Sequence, residues 1–145
     1  METQKPKYTA GLLEYKEIPW AVEVACKRML TEELGREEEI DLERLYDLVY
    51  TSQSRGYAVV ARYGDEPVGA VGGLLINQIF YPSRTTFAEM MWYVLPEHRK
   101  TRASYLMMKK YMEIVDNSGA SDATFSTLPD SPIKNESLAK MGFEY

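Results

Sequence analysis

Apolar and polar positions change period several times along this chain, and each change marks an element. The residues "YTAGLLEY", 8–15, suit a first strand. After them "IPWAVEVACKRMLTEEL" sets Trp20, Val24, Cys26, Met29 and Leu30 near helical spacing, with Pro19 suited to a first helical turn. Gly35 breaks that pattern. A second helix follows in "REEEIDLERLYDLVYTSQSRG", where Leu42, Leu45, Leu48 and Val49 share a face, Asp41 is placed to cap the start and Gly56 to stop the end. The acidic run Glu37 to Glu39 reads as its solvated beginning.

The period then shortens. "YAVVARY" and "VGAVGGLLI" are strand-like and are joined by "GDEP", which has the glycine, aspartate and proline of a tight connection, so a hairpin is predicted. The segment "NQIFYPSRTT" is longer than a hairpin needs; it either lines a binding surface or packs as an ordinary surface loop. "FAEMMWYVL" is apolar on both alternating faces, the mark of a central strand covered on each side, with Glu89 as the exception. A helix from about Ala103 to Asn117 is expected next, its stripe formed by Ala103, Met107, Tyr111, Ile114 and Val115 and its end by Gly119. "DATFSTL" reads as another strand, "SPIKNESLAKM" as a short helix opened by Ser131 and Pro132, and "GFEY" as the start of a last strand.

Composition narrows the classes. The 145 residues fit one domain with its own core, and 45% apolar residues with a formal net charge of −5 describe a globular chain rather than a nucleic-acid-coating one. A single cysteine, Cys26, excludes an internal disulfide and suits a reducing cytoplasm. With a single histidine, His98, it also leaves few routes to a metal site, and none is expected. A hydrolase built on Cys26 and His98 would have to join the apolar face of a helix to a distant loop. The longest apolar run, "VGAVGGLLI", is too short for a bilayer span, and the polar "METQKPKY" has no leader-like core, so no membrane partner is expected.

Against that acidic background, "YVLPEHRKTRASYLMM", 93–108, gathers positive charge where a strand passes into a helix. Lys100, Thr101, Arg102, Ala103 and Ser104 fall at or just before the first helical turn, where free N–H groups and the helix dipole favour an anion. Arg99, Lys100 and Arg102 can add charge-assisted hydrogen bonds to phosphate oxygens. A solvated charge cluster is the plain alternative, and a nucleic-acid patch a weaker one in so acidic a chain.

In its order of elements and in three motifs the sequence resembles the GNAT family of N-acetyltransferases over nearly its whole length. The phosphate loop of that family has a valine-x-proline entry and an Arg/Gln-x-x-Gly-x-Gly/Ala core; Val94, Pro96, Arg99, Arg102 and Ser104 of "VLPEHRKTRAS" fall on those positions, with Arg102 and Ser104 replacing the glycines. "NESLAKMGFEY" matches the closing Lys-x-Gly-Phe pattern through Lys140, Gly142 and Phe143, and Gly69 of the hairpin has its customary place. The resemblance implies an α/β (α+β) fold: a mixed, mostly antiparallel sheet flanked by helices and splayed between the fourth and fifth strands.

It implies, further, that acetyl-CoA is the cosubstrate. Its pantetheine would pair with the backbone of "WYVL", including Tyr93 and Val94, and its pyrophosphate would lie on "RKTRAS". A backbone N–H near Val94 would stabilise the oxyanion. Asn135 would contact pantetheine or, on its own reading, simply end a turn. The acceptor is an amine. At pH 7 a lysine-like amine is neutral in only about one part in a few thousand, a handicap of roughly 4.6 kcal/mol that a positioned base offsets. Glu89, in a "FAE" triplet also found in histone-acetylating members, is the candidate base. By alternation it shares an apolar face with Phe87, Met91 and Tyr93; a solvated carboxylate, or one paired with Arg84, is the plainer reading. Where many members carry a tyrosine acid this chain has Leu138, which leaves Ser137, water or a tyrosine such as Tyr93 to protonate the thiolate. The sequence ends at Tyr145, before the seventh strand usual in the family: either the sequence is cut short there or a second copy pairs with the open edge as a homodimer. The alternative of a different class is a CoA-binding regulatory protein without turnover.

Overall fold

The computed structural model describes residues 6–35, 40–126 and 135–144, with no side-chain description for Glu33, Leu34 and Asn135. Five strands make one sheet in the order β1 (Tyr8–Leu12), β2 (Ala58–Tyr63), β3 (Glu66–Asn77), β4 (Thr85–Val94) and β5 (Asp122–Thr124). All neighbours are antiparallel except β4 and β5, which run parallel. The expected hairpin is therefore β2–β3, and its turn needs Gly64, which adopts φ 63°.

Helices cover both faces. On one lie α1 (Ile18–Trp20), a π-helical stretch Ala21–Cys26, α2 (Lys27–Leu34) and α3 (Leu42–Ser54); on the other lies α4 (Arg102–Asn117). Alternation along the strands sorts the core between them: Val59, Val71, Trp92 and Val94 pack with Met107 and Tyr111 of α4, while Val60, Ala70, Met91 and Tyr93 pack with Val22, Ala25 and Val49. Both Gly35, left-handed at φ 63°, and Asp41, whose carboxylate accepts the Arg44 N–H, end and begin helices as expected.

Three details differ from the sequence reading, and a fourth bears on a choice it left open. The first strand stops at Leu12, because Glu14 and Glu17 form a reciprocal cap that starts a 3-10 turn over Tyr15–Glu17. β5 is three residues, pairing Asp122–Thr124 with Thr86–Ala88 and then diverging. Residues 141–144 form no strand: Gly142 is at φ 99° and the Phe143 N–H returns to the Leu138 carbonyl, so the chain turns back on α5 (Asn135–Lys140). In the loop after β3, Ile79 and Phe80 are 90% and 87% exposed, so they do not pack down as an ordinary loop would; Gln78 anchors its base to Thr86 and Asp122. The acidic run Glu37 to Glu39 and the helix start at Ser131 and Pro132 lie outside the described residues.

A buried ion pair ties the first segment to the sheet. Arg62 of β2 reaches both Glu17 carboxylate oxygens, at 3.0 and 2.6 Å.

Candidate active site

β4 is irregular at the point where chemistry is expected. Its register with β3 pairs Gly72 with Met91 but Gly73 with Glu89, so Met90 is an extra, bulged residue. A one-residue insertion reverses the faces beyond it. Phe87 consequently packs on the α4 side and Met91 and Tyr93 on the other, which corrects the expectation that all three share a face with Glu89. Glu89 pairs across the ladder with Gly73 and lies two residues from Phe87, so it belongs to the α4 face.

Glu89 also follows directly on Ala88, the last residue of β4 paired with β5. From there β5 leaves through Phe125, and the Ser126 N–H points at Glu89 Oε2 at 3.4 Å. Beyond Ala88 the outer edge of β4 has no strand beside it among the described residues, which is the opening expected of a splayed sheet.

Main-chain direction along this edge follows from one hydrogen bond. The Leu95 N–H donates to the Val68 carbonyl of β3, so by alternation Tyr93 also faces β3, whereas the N–H and C=O of Trp92 and Val94 face the opening. Of the "WYVL" backbone expected to meet pantetheine, Trp92 and Val94 are thus the residues whose main-chain groups turn outward, and Tyr93 is not. The Tyr93 side chain goes elsewhere: its hydroxyl donates to Glu32 Oε2 at 2.7 Å, on the α2 side. Burial, then that carboxylate, pushes the Tyr93 phenol up to about 12.

The charged joint begins with a 3-10 turn, Pro96–His98, and ends at α4. Lys100 adopts φ 64°, the left-handed region, which costs a non-glycine residue about 1 kcal/mol. Thr101 caps α4: its hydroxyl donates to the His98 carbonyl and accepts the Ala103 N–H. Replacing Thr101 with alanine should lower stability by about 1 kcal/mol in chemical denaturation. Ala103 is buried against the sheet, Lys100 and Arg102 are exposed, and Ser104 is half-buried. The bulkier residues at the glycine positions accordingly leave the N-terminal turn approachable. Arg99 turns back toward the sheet: its Nε donates to the Val94 carbonyl at 2.9 Å, its guanidinium lies 3.6 Å from Glu32, and it stacks 5.2 Å over Tyr93.

Ser137 is exposed on α5, while its neighbour Leu138 is buried in the α4-side core. The Asn135 side chain lies outside the described residues. Cys26 and His98 are not brought together as a pair: the buried Cys26 thiol faces Met91 and is pushed up to about 12 by burial and the Glu89 charge, and His98 Nδ1 is bonded to Tyr8. Among the described residues no group of three or more His, Cys, Asp or Glu is placed to hold a metal ion, and no helix is long and apolar enough to cross a membrane.

Known proteins share this fold. The family model described as Acetyltransferase (GNAT) family matches residues 20–143. No curated protein matches the sequence. Among solved structures, the aminoglycoside N-acetyltransferase AAC(6')-Iy in complex with CoA is 11% identical, with 100% of this chain and 93% of that one covered and a TM-score of 0.69. A protein from Clostridium acetobutylicum described as a predicted acetyltransferase, with acetyl-CoA, is 14% identical, covering 97% and 90% with a TM-score of 0.71. The ribosomal-protein-alanine N-acetyltransferase from Brucella melitensis biovar Abortus 2308 is 15% identical, covering 93% and 87% at 0.61. At such identities these likenesses speak for the fold, whereas the family model spans most of the sequence itself, and the chain belongs to the GNAT acetyltransferase family.

Proposed function

We propose that the protein transfers an acetyl group from acetyl-CoA to a primary amine of a small molecule or protein. The observation that carries this reading is the coincidence, at one opening in the sheet, of a carboxylate, outward-facing main-chain groups and a helix N-terminus. Glu89 stands where β5 departs, Trp92 and Val94 turn their main chain into the gap, and α4 begins at its far end.

The pyrophosphate is held by the first-turn N–H groups of α4 and the side chains of Lys100, Arg102 and Ser104. Arg99 acts on the same region from behind, fixing the Val94 carbonyl and hence the end of β4. Pantetheine pairs with Trp92 and Val94. The Val94 N–H receives the thioester oxygen, where it stabilises the charge that develops as the amine attacks. Glu89 accepts the proton lost by the attacking amine. The C–S bond of the tetrahedral intermediate then breaks, and the thiolate takes a proton from Ser137 or from water.

A non-catalytic CoA-binding role is the second reading. It is favoured by Arg102 and Ser104 at glycine positions and by Leu138, buried, where many relatives carry a tyrosine acid. A panel of amines mixed with acetyl-CoA separates the two when free thiol is followed beside a thermal shift with CoA. Transfer predicts thiol release with at least one amine and stabilisation by CoA; stabilisation without release for any amine would move the balance to the second reading.

A further inference from the structure

Tyr111 is 1% exposed, and its hydroxyl has no hydrogen-bond partner among the described residues. Leaving a buried hydroxyl unpaired costs about 1–3 kcal/mol, whereas phenylalanine fills nearly the same volume without that cost. Packing therefore gives no reason for the oxygen. Its location does. A Cβ built on Gly73 would lie 2.7 Å from Tyr111 Oη, so the hydroxyl occupies the space left by the missing side chain of Gly73. Gly73 is the cross-strand partner of Glu89, and paired residues project from the same face of a sheet. The same Cβ would also lie 2.7 Å from the Ala88 carbonyl, the residue before Glu89. The peptide at Gly73 is fixed in turn: its carbonyl accepts from buried Ser52 and its N–H donates to the Tyr57 carbonyl.

We propose that Tyr111 is a positioning residue for Glu89, donating its hydroxyl to the carboxylate directly or through one bridging water when the acetyl donor occupies the opening. The inference rests on the proposed function, in which Glu89 is the base. It assigns Gly73 a role too, as the gap through which a side chain on α4 reaches a carboxylate on β4. Among the described residues, Tyr111 from α4 and Cys26 from the π-helical stretch feel the Glu89 charge. Burial first and the Glu89 charge second raise both, so both stay protonated through neutral pH. Tyr111 is thus a donor to Glu89 throughout the working range and a poor source of a transferable proton. The Ser126 N–H is a further donor directed at this carboxylate.

The test is Tyr111→Phe, alone and combined with Glu89→Gln. The single variant should melt no lower than the parent and keep its KM for acetyl-CoA. Its kcat should fall about tenfold, the effect of one hydrogen bond to a charged group. The acid limb of its kcat/KM profile should move to higher pH, because the carboxylate has lost a donor. In the Glu89→Gln background the same change should cost no further activity. An unchanged kcat and pH profile, or an equal loss with and without Glu89, would reduce Tyr111 to core packing. A second readout needs no turnover: in protein carrying 13C-labelled glutamate carboxyls, the signal absent from Glu89→Gln should titrate at higher pH in Tyr111→Phe. A parent that releases no thiol with any amine would end the transfer reading, while this titration would still decide whether the hydroxyl acts on Glu89.

Discussion

Glu89→Gln should lower turnover about tenfold or more at neutral pH while CoA binds within twofold of the parent. The split follows from where the residue stands. Glu89 is on β4 one residue beyond the last pairing with β5, whereas the groups assigned to the pyrophosphate begin at Lys100, on the other side of Val94 and the 3-10 turn. Glutamine keeps the shape and can still accept from the Ser126 N–H, so the local backbone has no reason to move. What it loses is the ability to take a proton. The loss should be greatest at pH values where the acceptor amine is mostly charged and should narrow as pH rises and the free amine becomes abundant. Steady-state kinetics from pH 6 to 9 with a thiol readout measure this directly. Turnover equal to that of the parent across the range would remove Glu89 from the chemistry.

The largest expected change in stability comes from a different place. Arg62→Leu should lower unfolding free energy by about 3 kcal/mol at neutral pH, which for a chain of this size is a fall in Tm of roughly 10 °C. Glu17 is 7% exposed and Arg62 21%, with contacts at 2.6 and 3.0 Å. Burial alone would raise the Glu17 carboxyl, but the Arg62 hydrogen bonds, the Glu14 backbone N–H and the charges of Arg62 and Lys16 together outweigh it and hold the group below its ordinary value of 4.5. A carboxyl with a lowered folded-state value adds stability that is present above its unfolded value and lost as pH falls through the folded one. The parent should therefore weaken below about pH 4.5. In Arg62→Leu burial is left largely uncompensated, and the sign reverses: that variant should lose less stability on acidification than the parent does. Urea titrations at pH 7 and pH 4 give both numbers. An Arg62→Leu protein as stable as the parent at pH 7 would show that the pair merely replaces solvation.

How much of this was legible in the chain depends on the range of the cause. The β2–β3 hairpin, α3 and α4 were readable because their apolar periods and caps are local: Asp41 and Gly35 act within a turn of themselves. The Met90 bulge was not. In "FAEMMWYVL" both faces are apolar, so slipping the register by one residue changes no letter of the pattern, and alternation wrongly adds Met91 and Tyr93 to the face that Glu89 shares with Phe87. Arg99 illustrates a second limit. Its charge marked the anion site, but its direction depends on Glu32, far away in sequence, and on the Val94 carbonyl, which only the strand parity turns outward. The Glu17–Arg62 pair is likewise invisible without the fold, being 45 residues apart. Lys100 is the remaining case: nothing about lysine announces a left-handed backbone, and the joint imposes it between a 3-10 turn and a helix cap.

The charge gathered between Tyr93 and Met108 is now a joint with a defined shape, in which a capped helix presents its first turn beside an opening in the sheet. In the proposed mechanism this joint grips a pyrophosphate so that the thioester reaches Glu89. Calorimetric titration with CoA and, separately, with pantetheine, which lacks the pyrophosphate, measures that grip. CoA should bind, and pantetheine at least about tenfold more weakly, since each charge-assisted hydrogen bond to phosphate contributes about 1.5–3 kcal/mol. Equal affinity for the two, or no heat with CoA, would contradict it.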